Sequence, residues 1–113
     1  MNSCGYACIS KLFKMKGVIF NLEEHSFNKK SIFTFADFKK ICDIYGIDGR
    51  GYFMEYDDIP NKCIMHLEIS YFKHYIVLLK KGLFCIYYDN HGYHIIYSGI
   101  LRLLYSNYVF IVR

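Results

Sequence analysis

A chain of 113 residues that is 54% hydrophobic and 19% aromatic, with one Pro and no Ser- or Gly-rich stretch, is too apolar for disorder and long enough to bury one core. Its longest apolar runs, Tyr75 to Leu79 and Leu83 to Tyr88, are five and six residues, far short of the roughly 18 that span a bilayer. A net charge of +4 beside twelve Tyr and ten Phe raises single-stranded nucleic acid as a partner, but the lysines form scattered pairs (Lys29-Lys30, Lys39-Lys40, Lys80-Lys81) next to apolar runs, which describes solvated faces and not a binding stripe.

The N-terminus carries no charged region followed by an apolar stretch and a small-residue cleavage site, so a cytoplasmic location is expected. The five cysteines, at positions 4, 8, 42, 63 and 85, are odd in number and spread through apolar segments, the pattern of reduced thiols and not of a disulfide framework. One domain over residues 1–113 is expected.

The first half has helical periodicity. Ala7, Cys8, Leu12 and Met15 recur at spacings of three to four and predict a helix over Cys4 to Met15, with Ser3 as N-cap and Gly17 as its stop. One short turn of helix is expected within Asn21 to Phe27. A second helix is predicted from Phe35 to Tyr45, where Phe35, Phe38, Ile41, Cys42 and Tyr45 form a stripe, Thr34 caps with Asp37 and Gly46 terminates.

The second half changes period. Segments at Arg50–Met54, Lys62–Leu67, Tyr71–Leu79, Leu83–Tyr88, Tyr93–Tyr97 and Tyr108–Val112 are short, rich in Ile, Val, Tyr and Phe, and separated by turn signals such as Lys80-Lys81-Gly82 and Asp89-Asn90-His91-Gly92. They predict successive hairpin-joined strands, with a short helix over Ser98 to Tyr105. Helices followed by strands indicate an α+β fold: an antiparallel sheet packed against N-terminal helices.

Three positions suggest chemistry. Cys4 falls in the first turn of the first helix, where unpaired N–H groups and the positive end of the macrodipole stabilise a thiolate. Gly5 beside it would let a substrate backbone approach, and the Cys4 N–H is placed to meet a developing oxyanion. His74 is a polar residue inside an otherwise buried strand and is the best of five candidate bases. Asp89 ends the next strand; in a hairpin closing near Gly82 it lies across from His74, able to orient the imidazole.

These residues sit in a recognisable pattern. Ser3-Cys4-Gly5-Tyr6-Ala7-Cys8-Ile9 resembles the Cys-Gly-x-Ala-Cys-Leu signature of the bacteriocin-processing cysteine peptidases, family C39, found at the N-terminus of peptide-exporting ABC transporters. His74-Tyr75-Ile76-Val77-Leu78 is similar to the family's histidine run, Tyr88-Asp89-Asn90-His91-Gly92 to its Asp-Pro turn, with Asn90 in place of Pro. Looser likeness continues through Phe33 to Phe38, Tyr45 to Ile47, Lys62 to Leu67 and Ser98 to Val112.

The resemblance implies a papain-like fold and a thiol peptidase that cuts a leader after Gly-Gly, using Cys4, His74 and Asp89. It also implies a leader peptide and the transmembrane and nucleotide-binding parts of a transporter as partners, no cofactor, and a place at the cytoplasmic face of the membrane. The family's Gln, six residues before the cysteine, would fall ahead of Met1, so truncation relative to the family is expected.

Two other readings compete. A relative that docks an export substrate without cutting it needs the same groove but has no chemical use for all three residues. A metal site would draw on Cys4 with Cys8 or His91 with His94, but no second cysteine pair has zinc spacing, so no metal is expected. Cys8, Cys42, Cys63 and Cys85 read as small core residues and His66 as structural.

Overall fold

In the computed structural model, which describes residues 4–19, 33–69 and 72–113, the first helix, α1, spans Cys4–Met15. Its apolar stripe is sealed: Cys8, Ile9, Leu12 and Phe13 are fully buried. Gly17 ends it at φ +75°, a left-handed conformation that a residue without a Cβ adopts freely. The Ser3 cap and the turn expected within Asn21 to Phe27 lie outside the described residues.

The second helix, α2, spans Phe35–Ile44 and opens on the expected capping box. Thr34 Oγ1 accepts from the Asp37 N–H at 3.3 Å and Asp37 Oδ2 accepts from the Thr34 N–H at 2.8 Å, so two orphan donors of the first turn are satisfied.

Six strands follow: β1 (Gly49–Phe53), β2 (Cys63–Ile69), β3 (Phe72–Lys80), β4 (Phe84–Asp89), β5 (Gly92–Tyr97) and β6 (Tyr105–Val112), with a short helix α3 (Ser98–Leu104) before the last. They form one antiparallel sheet in the order β1-β6-β2-β3-β4-β5. The expected succession of hairpins therefore holds only from β2 to β5. Cys63, Ile64, Met65 and Leu67 bury β2 completely enough that both of its edges need backbone partners, and β6, returned by α3, supplies the one that β1 does not.

Alternation along the strands divides the interior in two. Ile64, Val77 and Phe110 pack under α1 and α2, while Met65, Ile76, Leu78 and Val109 face the other way onto Leu101 of α3 and Tyr56 of a single 3-10 turn, Tyr56–Asp58. On the β4–β5 wing Phe84, Ile86, Ile95 and Tyr97 are exposed. Among the described residues no helix is long and apolar enough to cross a membrane.

Candidate active site

The start of α1 rests against β3, and that contact assembles the site. Cys4 comes close enough to the His74 side chain and to the backbone of Tyr75, the next residue of β3, for both to lower its thiol. His74 Nε2 lies 3.0 Å from Asp89 Oδ2. With Nε2 committed to the carboxylate, Nδ1 is the ring atom left to face the thiol.

His74 and Asp89 do not meet as opposed residues of the β3–β4 ladder. The paired stretch ends at Val77↔Tyr88, so Asp89 stands one residue past the last pair and His74 three. The side chains close that offset, which the hairpin argument from equal distances to Gly82 did not contain.

Both oxygens of Asp89 are in use. Oδ2 faces His74; Oδ1 accepts the His91 N–H at 2.8 Å and lies 2.9 Å from His94 Nε2. The carboxylate is buried, so these partners replace its lost water. His94 is itself held by stacking on Tyr87, centroids 4.9 Å apart at 26°, its direct partner in the β4–β5 register. In the sequence His94 stands out only beside His91 as a weak metal spacing. The stronger signal is the one that singled out His74: a histidine alternating with Tyr93, Ile95 and Ile96 in a strand.

The electrostatics follow from these contacts. Burial pushes the Cys4 thiol up, but His74 and the Tyr75 backbone outweigh that and hold it below its ordinary value. Cys4 raises His74 against the effect of burial, and Asp89 adds to the rise. Burial works to raise Asp89, yet His74, the His91 N–H and His94 keep it below the ordinary carboxylate value. All three shifts favour a thiolate, an imidazolium and a carboxylate in a row.

Cys4 opens onto a cleft of about 370 Å³. Phe33, Phe35, Tyr75 and Tyr108 supply aromatic walls, and His66 and Lys73 add polar groups. Tyr75 is fixed across it by its hydroxyl, which donates to the Phe33 carbonyl at 2.7 Å.

Gly5 has a packing reason to be glycine that the sequence does not show: it is buried, and a Cβ there would stand 2.6 Å from Phe33 Cβ, a wall of the cleft. Cys8 is fully buried and burial drives its thiol well up, while Cys42 and Cys63 are pushed to about 11 and about 12. His94, one of the two histidines weighed as metal ligands, is turned to Asp89. Among the described residues no group of three or more His, Cys, Asp or Glu is placed to hold a metal ion.

No protein-family model and no curated protein matches the sequence. Solved structures do. The peptidase domain of Streptococcus ComA, a bifunctional ABC transporter involved in quorum sensing, superposes with a TM-score of 0.79 at 17% identity, covering 98% of this chain and 90% of that one. A double glycine motif protease from an AMS/PCAT transporter, in complex with its leader peptide, gives 0.82 at 19% identity over 97% of this chain and 83% of that one. The peptidase domain of Streptococcus mutans ComA gives 0.71 at 15% identity over 100% and 93%. Three helices on a six-stranded antiparallel sheet thus place this chain in the fold of the peptidase domains carried by ABC transporters.

Proposed function

We propose that the chain is a cysteine peptidase that removes the leader of a secreted peptide precursor after a Gly-Gly pair, in partnership with an ABC transporter at the cytoplasmic face of the membrane. The observation that carries this reading is His74, hydrogen-bonded to Asp89 and beside Cys4 at an aromatic cleft, with the thiol shifted down and the imidazole up. In this reading Cys4 thiolate attacks the carbonyl carbon of the second glycine. The C–N bond breaks as the His74 imidazolium gives its proton to the leaving amine, leaving a thioester on Cys4. His74 then takes a proton from water, the resulting hydroxide displaces Cys4, and the leader leaves as a carboxylate.

Asp89 holds the ring so that Nδ1 addresses sulfur throughout. The Cys4 N–H, at the open end of α1, is a donor for the oxyanion. Selectivity for glycine is assigned to the aromatic walls Phe33, Phe35, Tyr75 and Tyr108, against which a bare backbone can lie flat.

The test is a synthetic peptide of leader type ending in Gly-Gly and followed by a few residues, incubated with the chain and with Cys4→Ala. Cleavage after the second glycine that vanishes in Cys4→Ala is the expected result. Binding of the peptide with no cleavage would replace this reading with that of a domain that docks an export substrate.

A further inference from the structure

His66 lies on the wall of the cleft and takes no part in the series above. It sits where the β2–β6 register slips, between Met65↔Val109 and Leu67↔Tyr105. The slack is taken up on β6, where Asn107 adopts φ +70°. Such bulges re-aim a side chain, and here the Ser106 hydroxyl turns onto His66, 2.7 Å from Nδ1.

The direction of each bond can be worked out. The single hydroxyl proton of Ser106 goes to the His66 carbonyl at 2.9 Å. Toward the Tyr108 N–H, at 3.4 Å, the same oxygen accepts. Toward Nδ1 it must accept as well, so Nδ1 carries the ring proton and Nε2 presents a lone pair. Burial, helped by Lys73 and opposed by Glu68, lowers the basicity of His66 and keeps that lone pair free. Among the described residues Nε2 has no partner, and unlike Asn90 Oδ1 it is not sealed from solvent.

The other side-chain acceptors of this cleft are hydroxyl oxygens, those of Thr34, Tyr75 and Tyr108. The Thr34 hydroxyl donates to Asp37 and accepts from its N–H, the Tyr75 hydroxyl donates to Phe33, and Lys73 offers only donors. A peptide lying in the cleft buries backbone N–H groups that need an acceptor.

We propose that His66 is a peptide-binding residue whose Nε2 accepts a backbone N–H of the substrate next to Cys4, with Ser106 setting its tautomer. This rests on the peptidase reading. The test uses the same Gly-Gly peptide in two assays: cleavage by the unaltered chain, and binding to Cys4→Ala alone or combined with His66→Asn or His66→Gln. Asn keeps a polar group near Nδ1 and has nothing at Nε2; Gln returns an acceptor there.

We expect Asn to weaken binding about five- to tenfold and Gln to recover most of it. Peptides N-methylated at successive amides provide a readout without touching the protein: one position should lose affinity for Cys4→Ala and lose none further for Cys4→Ala with His66→Asn. Equal affinity of the Asn double variant and Cys4→Ala, or an N-methyl penalty unchanged by His66→Asn, overturns the assignment even if cleavage is intact. Binding that depends on His66 without any cleavage would keep the assignment and overturn the peptidase reading; absence of both overturns both.

Discussion

Cys4 and Cys8 stand one turn apart on the same helix, and their thiols are shifted in opposite directions. Burial raises both. Cys4 has His74, the Tyr75 backbone and the open end of α1 to set against it; Cys8 lies beneath the helix among Ile9, Leu12 and Phe13 with no compensating bond and with Cys4 and Asp89 adding to the rise. The open end of the helix is one part of that difference; the partner strand, which supplies His74 and the Tyr75 backbone, is the larger.

The largest expected effect breaks the pair apart. Cys4→Ala should lower peptide cleavage by more than about 10³-fold with little change in thermal stability. Cys8→Ala should do the reverse, keeping cleavage within a few-fold while costing about 1–2 kcal/mol of folding free energy, measured by denaturant unfolding. If Cys8→Ala abolishes cleavage in a folded protein, the contrast between the two thiols is wrong.

Next in size is Asp89→Asn. Asp89 raises His74, so its removal lets the imidazolium lose its proton at lower pH. The alkaline limb of kcat/KM should move to lower pH and the maximum fall about 10²-fold, the lower end of what an acid–base group contributes. Stability carries its own signature. Asp89 is held below the ordinary carboxylate value in the folded chain by His74, the His91 N–H and His94, so its contribution is present above that ordinary value and lost as pH falls through the folded one. The wild-type advantage over Asp89→Asn in thermal melts should therefore be seen at pH 7 and shrink in strong acid.

His94→Gln should give the smallest effect. Gln retains a donor toward Asp89 Oδ1, while Oδ2 remains with His74, so activity should fall only a few-fold and His94→Ala should fall further. Identical kinetics for His94→Ala and the parent would remove His94 from the site.

Much of this arrangement can be read from residue order. The bounds of α1, the Thr34–Asp37 box and the strand segments follow from local periodicity and capping, which act over a few residues. The insertion of β6 between β1 and β2 is not local: it depends on where α3 sends the chain and on β2 needing two partners. Cys4, His74 and Asp89 are legible as chemistry-bearing types at telling places. Their offset in the ladder, the second histidine on Asp89 and the clasp of Ser106 on His66 arise from strand ends and a bulge, where side-chain reach and not register decides what touches. Gly5 shows the same limit, because its neighbour Phe33 is far away in sequence.

The central claim is that Cys4 is an activated thiol paired with His74. The most direct measurement is the pH dependence of alkylation by iodoacetamide, with the labelled cysteine identified by mass, in the chain and in His74→Gln. Labelling should fall on Cys4 while the four buried thiols stay protected, with a midpoint below that of a free cysteine, about 8.5, that moves upward in His74→Gln. A midpoint no lower than that of a free cysteine and the same in both proteins would contradict it.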